Sequence, residues 1–411
     1  MPTLAFYTLG CKVNQYETEL MKELATEVGF EVSDFDEPAD IYIVNTCAVT
    51  QVAEKKSRQA IRRASRLGKV MVTGCYSELE PDEIKKISRT LQIIKIAEKK
   101  DVARYLKDQR PETRDRRPLL KKVRAYLMIE DGCNQFCSYC VVPLARGKVI
   151  SKPLPEILEE VEKLKEKGVK EVVLTGINLG AYGKETTDQN LAKVIKEIAK
   201  IDGFERIRLS SIEPMFINDE LIETIAGSPK VCRHLHVPLQ SGDDLILKKM
   251  NRTYTAKDFL RLVEKLRTLM PEIAITTDVM AGFPAETEEA FGNTCELIEQ
   301  IKFSRMHIFR YSRRPNTPAS QFEGQLNPWI IQKRSQKLRY LAQKYMLAYH
   351  RGYLGRSPLV LIEQKDKKTG LLEGLTDTYV RVRLKGDDKL IGRLVPVKIK
   401  ESKEDYVLGE I

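Results

Sequence analysis

No stretch of this 411-residue chain approaches the roughly 18 consecutive apolar residues of a membrane-spanning helix. The segment Met1 to Gly10 lacks a basic region followed by an apolar run, so no secretory signal is read and the expected location is the cytoplasm. Internal repeats and low-complexity tracts are absent. Histidine is scarce: only His234, His236, His307 and His350 occur. Acidic residues are nearly missing from one region. Between Ile301 and Val360, twelve Lys/Arg stand against a single acid, Glu323, and that segment alone carries +11, the net charge of the whole chain. Lys55–Lys69 holds seven Lys/Arg and no acid. Scattered positive charge usually means solvated helix faces. Charge this concentrated favours a polyanion, because it attracts phosphate backbones and releases their counterions.

What is present suits a globular protein of two or three domains, with 42% apolar residues. The pattern predicts an α/β protein. Over 1–110, strands Leu4–Leu9, Asp40–Val44 and Lys69–Thr73 alternate with helices Glu17–Val28 and Val52–Arg66, and Pro81 opens another helix; such alternation implies a parallel sheet. Residues 111–122 are polar and Pro-containing and read as a linker. Over 123–351, six strands are expected, Ala125–Ile129, Glu171–Thr175, Arg206–Ser211, Arg233–Leu239, Ile273–Met280 and Arg305–Tyr311. Longer helices fall between them. Six units are too few for a complete eight-unit barrel and suit a partial (β/α)6 barrel. A basic helix follows Asn327-Pro328. Over 352–411, five short strands are expected: Pro358–Glu363, Gly370–Leu375, Tyr379–Leu384, Lys389–Lys400 and Tyr406–Ile411. They fit a small antiparallel β-barrel of the kind that binds RNA.

Eight cysteines occur. In a cytosolic chain, clustered thiols more often bind metal than form disulfides. Cys133, Cys137 and Cys140 sit with three and then two residues between them, just after the first strand of the second domain. That places them at the carboxyl edge of the sheet, where α/β folds hold ligands. Three thiolates can hold three irons of a 4Fe–4S cluster and leave the fourth open. Zinc would need a fourth ligand, usually Cys or His, and no histidine lies near this loop in sequence. Cys11, Cys47 and Cys75 each follow a strand of the first domain, so in a parallel sheet these thiols converge on one edge; buried structural cysteines are the plainer alternative. Cys232 and Cys295 lack such a setting and read as core residues.

Cys133, Cys137 and Cys140 match the cysteine motif of the radical S-adenosylmethionine (SAM) enzymes. Gly10-Cys11-Lys12-Val13-Asn14-Gln15-Tyr16-Glu17, Asn45-Thr46-Cys47 and Gly74-Cys75 resemble the N-terminal domain of the methylthiotransferases. The C-terminal strands resemble the TRAM domain, an RNA-binding module. Three branches of that family act on isopentenyladenosine in tRNA, on threonylcarbamoyladenosine in tRNA, and on an aspartate of a ribosomal protein. Lys12-Val13-Asn14 and Ala48-Val49-Thr50 look most like the threonylcarbamoyladenosine branch. The resemblance implies replacement of C2–H by C2–SCH3 on the modified adenosine at position 37 of tRNA. It implies two 4Fe–4S clusters, one on Cys133, Cys137 and Cys140 and an auxiliary one on Cys11, Cys47 and Cys75. SAM and an electron donor such as flavodoxin or ferredoxin are implied too, with tRNA as partner.

By the same resemblance, Thr175, Gly176 and Asn178 would meet the methionine end of SAM. Ser210, Ser211 and Glu213 would reach its ribose or amino group, and Tyr139 its adenine. His236, Gln240 and Asp278 end the fourth strand and mark the fifth. Position 285 is Ala, where the family usually has Gly after Phe-Pro, and this asks for a permissive backbone. The RNA surface would comprise the C-terminal barrel and the helix Gln332–Arg351 with Lys333, Arg334 and Lys337. The helix on which Lys55, Arg58, Arg62 and Arg66 share a face would complete it. Arg313 and Arg314 would bind the nucleotide or the carboxylate of its modification. A zinc-stabilised RNA-binding protein without catalysis is the competing reading from another class.

Overall fold

The computed structural model describes residues 2–88, 90–106, 122–186 and 189–411. The linker expected over 111–122 lies, Lys122 apart, outside them. The described residues pack as two compact units that do not follow sequence order. One joins Met1–Leu120 with Asp131–Lys148 and Ser312–Ser320, and the other joins Lys121–Glu130 with Val149–Tyr311 and Gln321–Ile411.

The first unit runs β1 (Thr3–Thr8), α1 (Lys12–Glu27), β2 (Glu31–Ser33), β3 (Ile41–Thr46), α2 (Gln51–Ala64), β4 (Lys69–Gly74), α3 (Cys75–Leu79) and β5 (Gln92–Ile93), with α4 (Val142–Arg146) added from later in the chain. Its sheet is wholly parallel, in the order β2-β1-β3-β4-β5. Side chains alternate across a strand, and both faces here are apolar. Leu4, Ile41, Ile43 and Met71 pack against Met21 and Ala25 of α1. Ala5, Tyr42, Val44, Val70 and Val72 pack against Ala60 and Ile61 of α2 and against Val141 and Ala145. The strand β3 is therefore buried along its whole length. The helix α2 starts where the Thr50 hydroxyl accepts the Ala53 N–H at 3.1 Å.

The second unit contains β6 (Arg124–Met128), α5 (Leu154–Glu166), β7 (Glu171–Thr175), α6 (Leu191–Ala199), β8 (Arg206–Leu209), α7 (Asp219–Gly227), β9 (His234–His236), α8 (Ala256–Leu269), β10 (Ala274–Ala281), α9 (Glu288–Ile301), β11 (Arg305–Arg310) and α10 (Pro328–Arg351). The six strands form two parallel three-stranded sheets, β8-β7-β6 and β9-β10-β11. Parallel bridges Ile207↔Val231 and Ser211↔His236 link them in sequence order. This is the six-unit partial barrel that the spacing predicts.

Ala285, in the turn after β10, has φ +61° and donates its N–H to Gly324 O at 2.8 Å. Alanine in the left-handed region costs roughly 1–2 kcal/mol, part of which glycine's larger unfolded-state entropy offsets. Ala285→Gly is expected to raise stability by about 1 kcal/mol, read as a higher urea midpoint at unchanged slope.

The C-terminal strands are β12 (Leu359–Lys365), β13 (Leu372–Thr376), β14 (Arg381–Leu384), β15 (Leu394–Pro396), β16 (Lys398–Ser402) and β17 (Val407–Glu410). They pair in the order β15-β12-β13-β14-β17-β16, antiparallel except for β14 with β17. The expected strand Lys389–Lys400 divides into a 3-10 turn, Asp388–Leu390, and the two edge strands β15 and β16. Laid flat, six strands at ~4.8 Å spacing would hold those edges roughly 24 Å apart. A single residue, Val397, joins them, so the sheet curls back on itself.

Its β13–β14 turn docks on the amino ends of the barrel strands. The buried Arg208 guanidinium is held by Glu171 at 2.7 and 3.0 Å, by Thr376 O at 2.9 Å and by Asp377 O at 2.8 Å. Arg206 donates to Leu375 O at 2.7 Å and Leu359 O at 2.8 Å. The opposite, carboxyl edge of the barrel remains for ligands.

Candidate functional site

Cys11 is the N-cap residue of α1, Cys47 follows β3 and Cys75 opens α3. The strands before them, β1, β3 and β4, are neighbours in register: Thr8 lies opposite Asn45, and Thr46 opposite Gly74. The three thiols therefore leave adjacent strands at one edge. Each pair is close enough to interact electrostatically. Burial, reinforced by the charges of Cys75 and Cys11, pushes the Cys47 thiol up to about 11. Cys11 keeps an exposed edge, yet desolvation of its sulfur outweighs Arg146 and raises it as well.

Two glycines make the convergence possible. Gly10 has φ +106°, and a Cβ there would lie 3.2 Å from Cys47 Sγ. Gly74 has φ +100°, and a Cβ there would lie 2.3 Å from Thr46 O. An all-sulfur donor set suits iron–sulfur chemistry, and the bare Gly10 backbone beside Cys47 leaves space that a side chain would fill.

The second triplet lies in the same unit. Cys133, Cys137 and Cys140 are all half-buried. Cys133 N–H donates to Gly147 O at 3.1 Å, which closes the loop. The sulfurs of Cys133 and Cys140 accept N–H groups from Gln135 at 3.5 Å and Val142 at 3.4 Å. Such N–H···S contacts favour thiolates and tune a cluster. Tyr139 sits half-buried within this loop.

A buried polar network connects the two triplets. Arg146 Nη1 donates to Glu17 at 3.0 Å and to both Asp131 oxygens at 2.9 and 3.0 Å; its Nη2 reaches Asn14 Oδ1 at 2.8 Å and Glu17 at 3.1 Å. Lys99 also pairs with Glu17 and donates to Asn45 at 3.1 Å. Burial alone would raise the Glu17 carboxyl, but Lys99 and Arg146 outweigh it and hold it low. Arg146 Nε is buried and makes no hydrogen bond.

In the barrel unit, the expected residues gather at the carboxyl edge. Asp278 Oδ1 meets His236 Nε2 at 3.3 Å and His307 Nδ1 at 3.2 Å. Burial would raise this carboxyl, but the two imidazoles hold it well below the usual range. Gln240, at φ +62°, donates its N–H to Asp278 O at 2.8 Å. Asn178 N–H is held by the buried Glu130 at 2.8 Å, and a Cβ on Gly176 would lie 2.4 Å from Glu130 Oε2. Thr175 ends β7, while Ser210 and Ser211 follow β8. Glu213 pairs with Arg252 at 2.8 Å.

Residues 127–298 match the radical SAM superfamily, residues 3–95 the uncharacterized protein family UPF0004, and residues 351–411 the TRAM domain. The chain is 39% identical to a threonylcarbamoyladenosine tRNA methylthiotransferase of Bacillus subtilis, over 100% of this chain and 96% of that one. It belongs to the radical SAM methylthiotransferase family. A tRNA-2-methylthio-N(6)-dimethylallyladenosine synthase of Caldicellulosiruptor saccharolyticus is 36% identical, covering 100% of this chain and 92% of that one. Among solved structures, the radical SAM methyltransferase TsrM of Kitasatospora setae superposes with a TM-score of 0.57 at 17% identity, over 78% of this chain and 77% of that one. That likeness concerns the fold.

The cationic residues of this methylthiotransferase divide into two sets. Lys55, Arg62, Arg66, Arg313, Lys333 and Lys337 are exposed. Arg58 is partly covered and donates to the Tyr76 hydroxyl at 2.8 Å. Arg334 and Arg314 are not surface contacts. Arg334 is buried, bonded to Glu286 at 2.8 Å and Glu288 at 3.1 Å; Arg314 is buried against Glu54. Arg334 was expected on the RNA surface and Arg314 against the nucleotide or the carboxylate of its modification, because charge was counted without its partner. Sequence reading assigned no role to Arg146, Lys99, Glu130, Arg252 or His307. Only Arg146 carries a local signal, as the one charge in the otherwise apolar α4 directly behind the cysteine loop.

The exposed face of α10 carries no acid at all. Trp329 and Tyr340, 67% and 65% exposed, lie eleven residues apart on one line of that helix, and Lys333 Nζ lies 5.4 Å from the Trp329 ring centre.

Proposed function

We propose that this enzyme converts C2–H of N6-threonylcarbamoyladenosine at position 37 of tRNA into C2–SCH3. Cys133, Cys137 and Cys140 hold the 4Fe–4S cluster that engages SAM, and Cys11, Cys47 and Cys75 hold the auxiliary one. The observation that carries this reading is the convergence of three thiols from three adjacent strands in the unit that also contains the cysteine loop. When bound, the clusters and SAM supply the radical that removes hydrogen and the sulfur and methyl that replace it. The chain's own residues bind, orient and shield. Thr175, Gly176 and Asn178 take the methionine end of SAM. Ser210, Ser211 and Glu213 take its ribose or amino group, and Tyr139 its adenine. Asp278, kept ionised between His236 and His307, accepts hydroxyl donors, with Gln240 beside it. A flavodoxin- or ferredoxin-like reductant supplies the electrons.

Residues 1–110, 123–351 and 352–411 are assigned as the methylthiotransferase, radical SAM and TRAM-like portions. The enzyme works on tRNA in the cytoplasm; among the described residues no helix is long and apolar enough to cross a membrane.

Mass analysis of tRNA nucleosides tests the reading. A strain lacking the gene loses the methylthio derivative of threonylcarbamoyladenosine and regains it with the gene. An unchanged profile overturns the assignment, and loss of the dimethylallyl product instead moves the enzyme to the branch it matches at 36% identity. About eight irons per chain are expected after anaerobic purification, from two 4Fe–4S clusters. Stoichiometric zinc without iron would support the non-catalytic alternative.

We assign tRNA contacts to the exposed face of α10 and the TRAM-like sheet in the barrel unit and, separately, to the Lys55–Arg66 face in the first unit. Base stacking on an aromatic is worth ~1–3 kcal/mol, so Trp329→Ala is expected to weaken tRNA binding roughly tenfold at an unchanged salt slope. Lys333→Gln with Lys337→Gln should instead flatten the log–log salt slope by about 1 per lysine. Fluorescence anisotropy across a KCl series separates the two effects.

A further inference from the structure

Three side chains of the barrel unit bring their donor atoms together, and none of them is a cysteine. Asp278 of β10 lies opposite His307 of β11 in the parallel register, and His236 of β9 lies opposite Thr276, two residues before Asp278. Residues two apart share a face of a strand, so His236, Asp278 and His307 stand on one face of the sheet, the one opposite the buried Met306. Their ligand atoms, one from each residue, all lie within 4.8 Å of one another. Asp278 Oδ1 is 3.3 Å from His236 Nε2 and 3.2 Å from His307 Nδ1.

Both separations stand at or beyond the far end of the N–H···O range, about 2.7–3.2 Å. They suit ligands of a shared ion better. A zinc-class cation sits about 2.0–2.2 Å from imidazole nitrogen and carboxylate oxygen, which spaces neighbouring ligand atoms by roughly 3.0 Å in octahedral and 3.4 Å in tetrahedral geometry. Thr276 Oγ1 meets His236 Nδ1 at 2.9 Å, so the other ring nitrogen is the one turned to Asp278. Ligating histidines are held in this way through their second nitrogen. The Asp278 carboxyl is kept ionised, the form that ligates. Access is open: the His307 side chain is 48% exposed and that of Asp278 24%, so a hydrated ion can reach them.

We infer that His236, Asp278 and His307 form a mononuclear metal site that takes one divalent first-row transition cation through two imidazoles and a carboxylate. The paired imidazoles favour such an ion over Mg2+ and Ca2+, which prefer oxygen ligands, and the site offers no thiolate to softer metals. Three protein ligands leave coordination positions open. The bound ion presents them, as a Lewis acid, to an oxygen of a molecule held in the barrel unit. The second Asp278 oxygen remains for hydroxyl donors. This site is separate from both cysteine triplets, and it stands or falls independently of the methylthio reaction.

Manganese(II) is the probe of choice, because soft thiolates are poor ligands for it and the cysteine triplets therefore do not mimic the site. Full-length protein, purified anaerobically and dialysed against a weak chelator, is titrated with MnCl2 in physiological salt. Electron paramagnetic resonance reads the ion that stays free. One Mn2+ should be taken up per chain, and an excess of Mg2+ should displace little of it. His307→Ala removes a half-exposed side chain, so the fold should persist while Mn2+ binding weakens by about tenfold or more. Asp278→Asn keeps the shape, loses the charge and should weaken binding at least as much. Thr276→Val touches no ion but frees the His236 ring, and should cost about tenfold. A wild type that takes up no Mn2+ at millimolar concentration overturns the inference and leaves the three side chains as a hydrogen-bonded group. Uptake unchanged in His307→Ala or in Asp278→Asn overturns it too, because the ion then sits elsewhere. Displacement by an equal concentration of Mg2+ does the same, since it marks an all-oxygen site.

Discussion

Replacing Cys47 with alanine is expected to leave reductive SAM cleavage intact and to reduce methylthio transfer to background. Cys47 stands at the edge of the N-terminal sheet with Cys11 and Cys75, whereas Cys133, Cys137 and Cys140, the triplet proposed to engage SAM, occupy their own loop, closed by the Cys133–Gly147 hydrogen bond. Removing one thiol from the first set leaves the second set's ligands and their N–H···S contacts unchanged. The fold should survive, because β3 is anchored on both faces by side chains other than Cys47. Iron should fall from about eight to about four per chain. Cys137→Ala is the complementary change and should abolish SAM cleavage. Chromatography of 5′-deoxyadenosine and mass analysis of the tRNA nucleoside read the two activities separately. A Cys47→Ala protein that performs both as well as the wild type would remove the second triplet from the chemistry.

The outcome was legible where a local rule sufficed. A cysteine directly after a strand of a parallel sheet lands on the carboxyl edge, so Cys11, Cys47 and Cys75 could be placed together from strand order alone. The six barrel strands were legible too, since each falls between longer helix-patterned segments. The Gly-to-Ala departure at position 285 was readable as a demand on the backbone, and φ +61° there bears it out.

What the sequence concealed depends on partners far along the chain. Arg314 meets Glu54 across 260 residues, and Arg334 meets Glu286 across 48. A count of positive charge cannot distinguish a solvated arginine from one neutralised in the interior. The same distance effect hides the parallel β14–β17 pair, because sequence gives strands but not their register. It also hides the packing of the cysteine loop 131–148 with the N-terminal sheet, although chain continuity joins that loop to the barrel.

That packing leads to the second large effect. Arg146→Gln is expected to uncouple SAM cleavage from methylthio transfer. The Arg146 guanidinium, with a fully buried side chain, binds Asp131 two residues before Cys133, and Asn14 and Glu17 just after Cys11. Asn14 in turn donates to Leu9 O at 2.7 Å and Thr46 O at 3.0 Å, the carbonyls that flank Cys11 and Cys47. One side chain therefore sets the spacing between the two cysteine sets. Glutamine cannot span the three acceptors, and breaking a buried ion pair costs about 3–5 kcal/mol. Lys99 remains on Glu17, so the N-terminal sheet should stay folded while the loop loses its tether. In the apoprotein, amide exchange of peptides covering 131–148 should quicken, with little change over α1. In the loaded enzyme, a displacement near 1 Å can cost on the order of a hundredfold in a positioned reaction. The ratio of methylthio product to 5′-deoxyadenosine should therefore fall by tenfold or more, since deoxyadenosine formation needs only the loop's own cluster and SAM. Arg146→Lys, which keeps a charge for one acceptor at a time, should recover part of the ratio. If both products decline in step, Arg146 only supports the fold; if neither changes, the tether is irrelevant to the reaction.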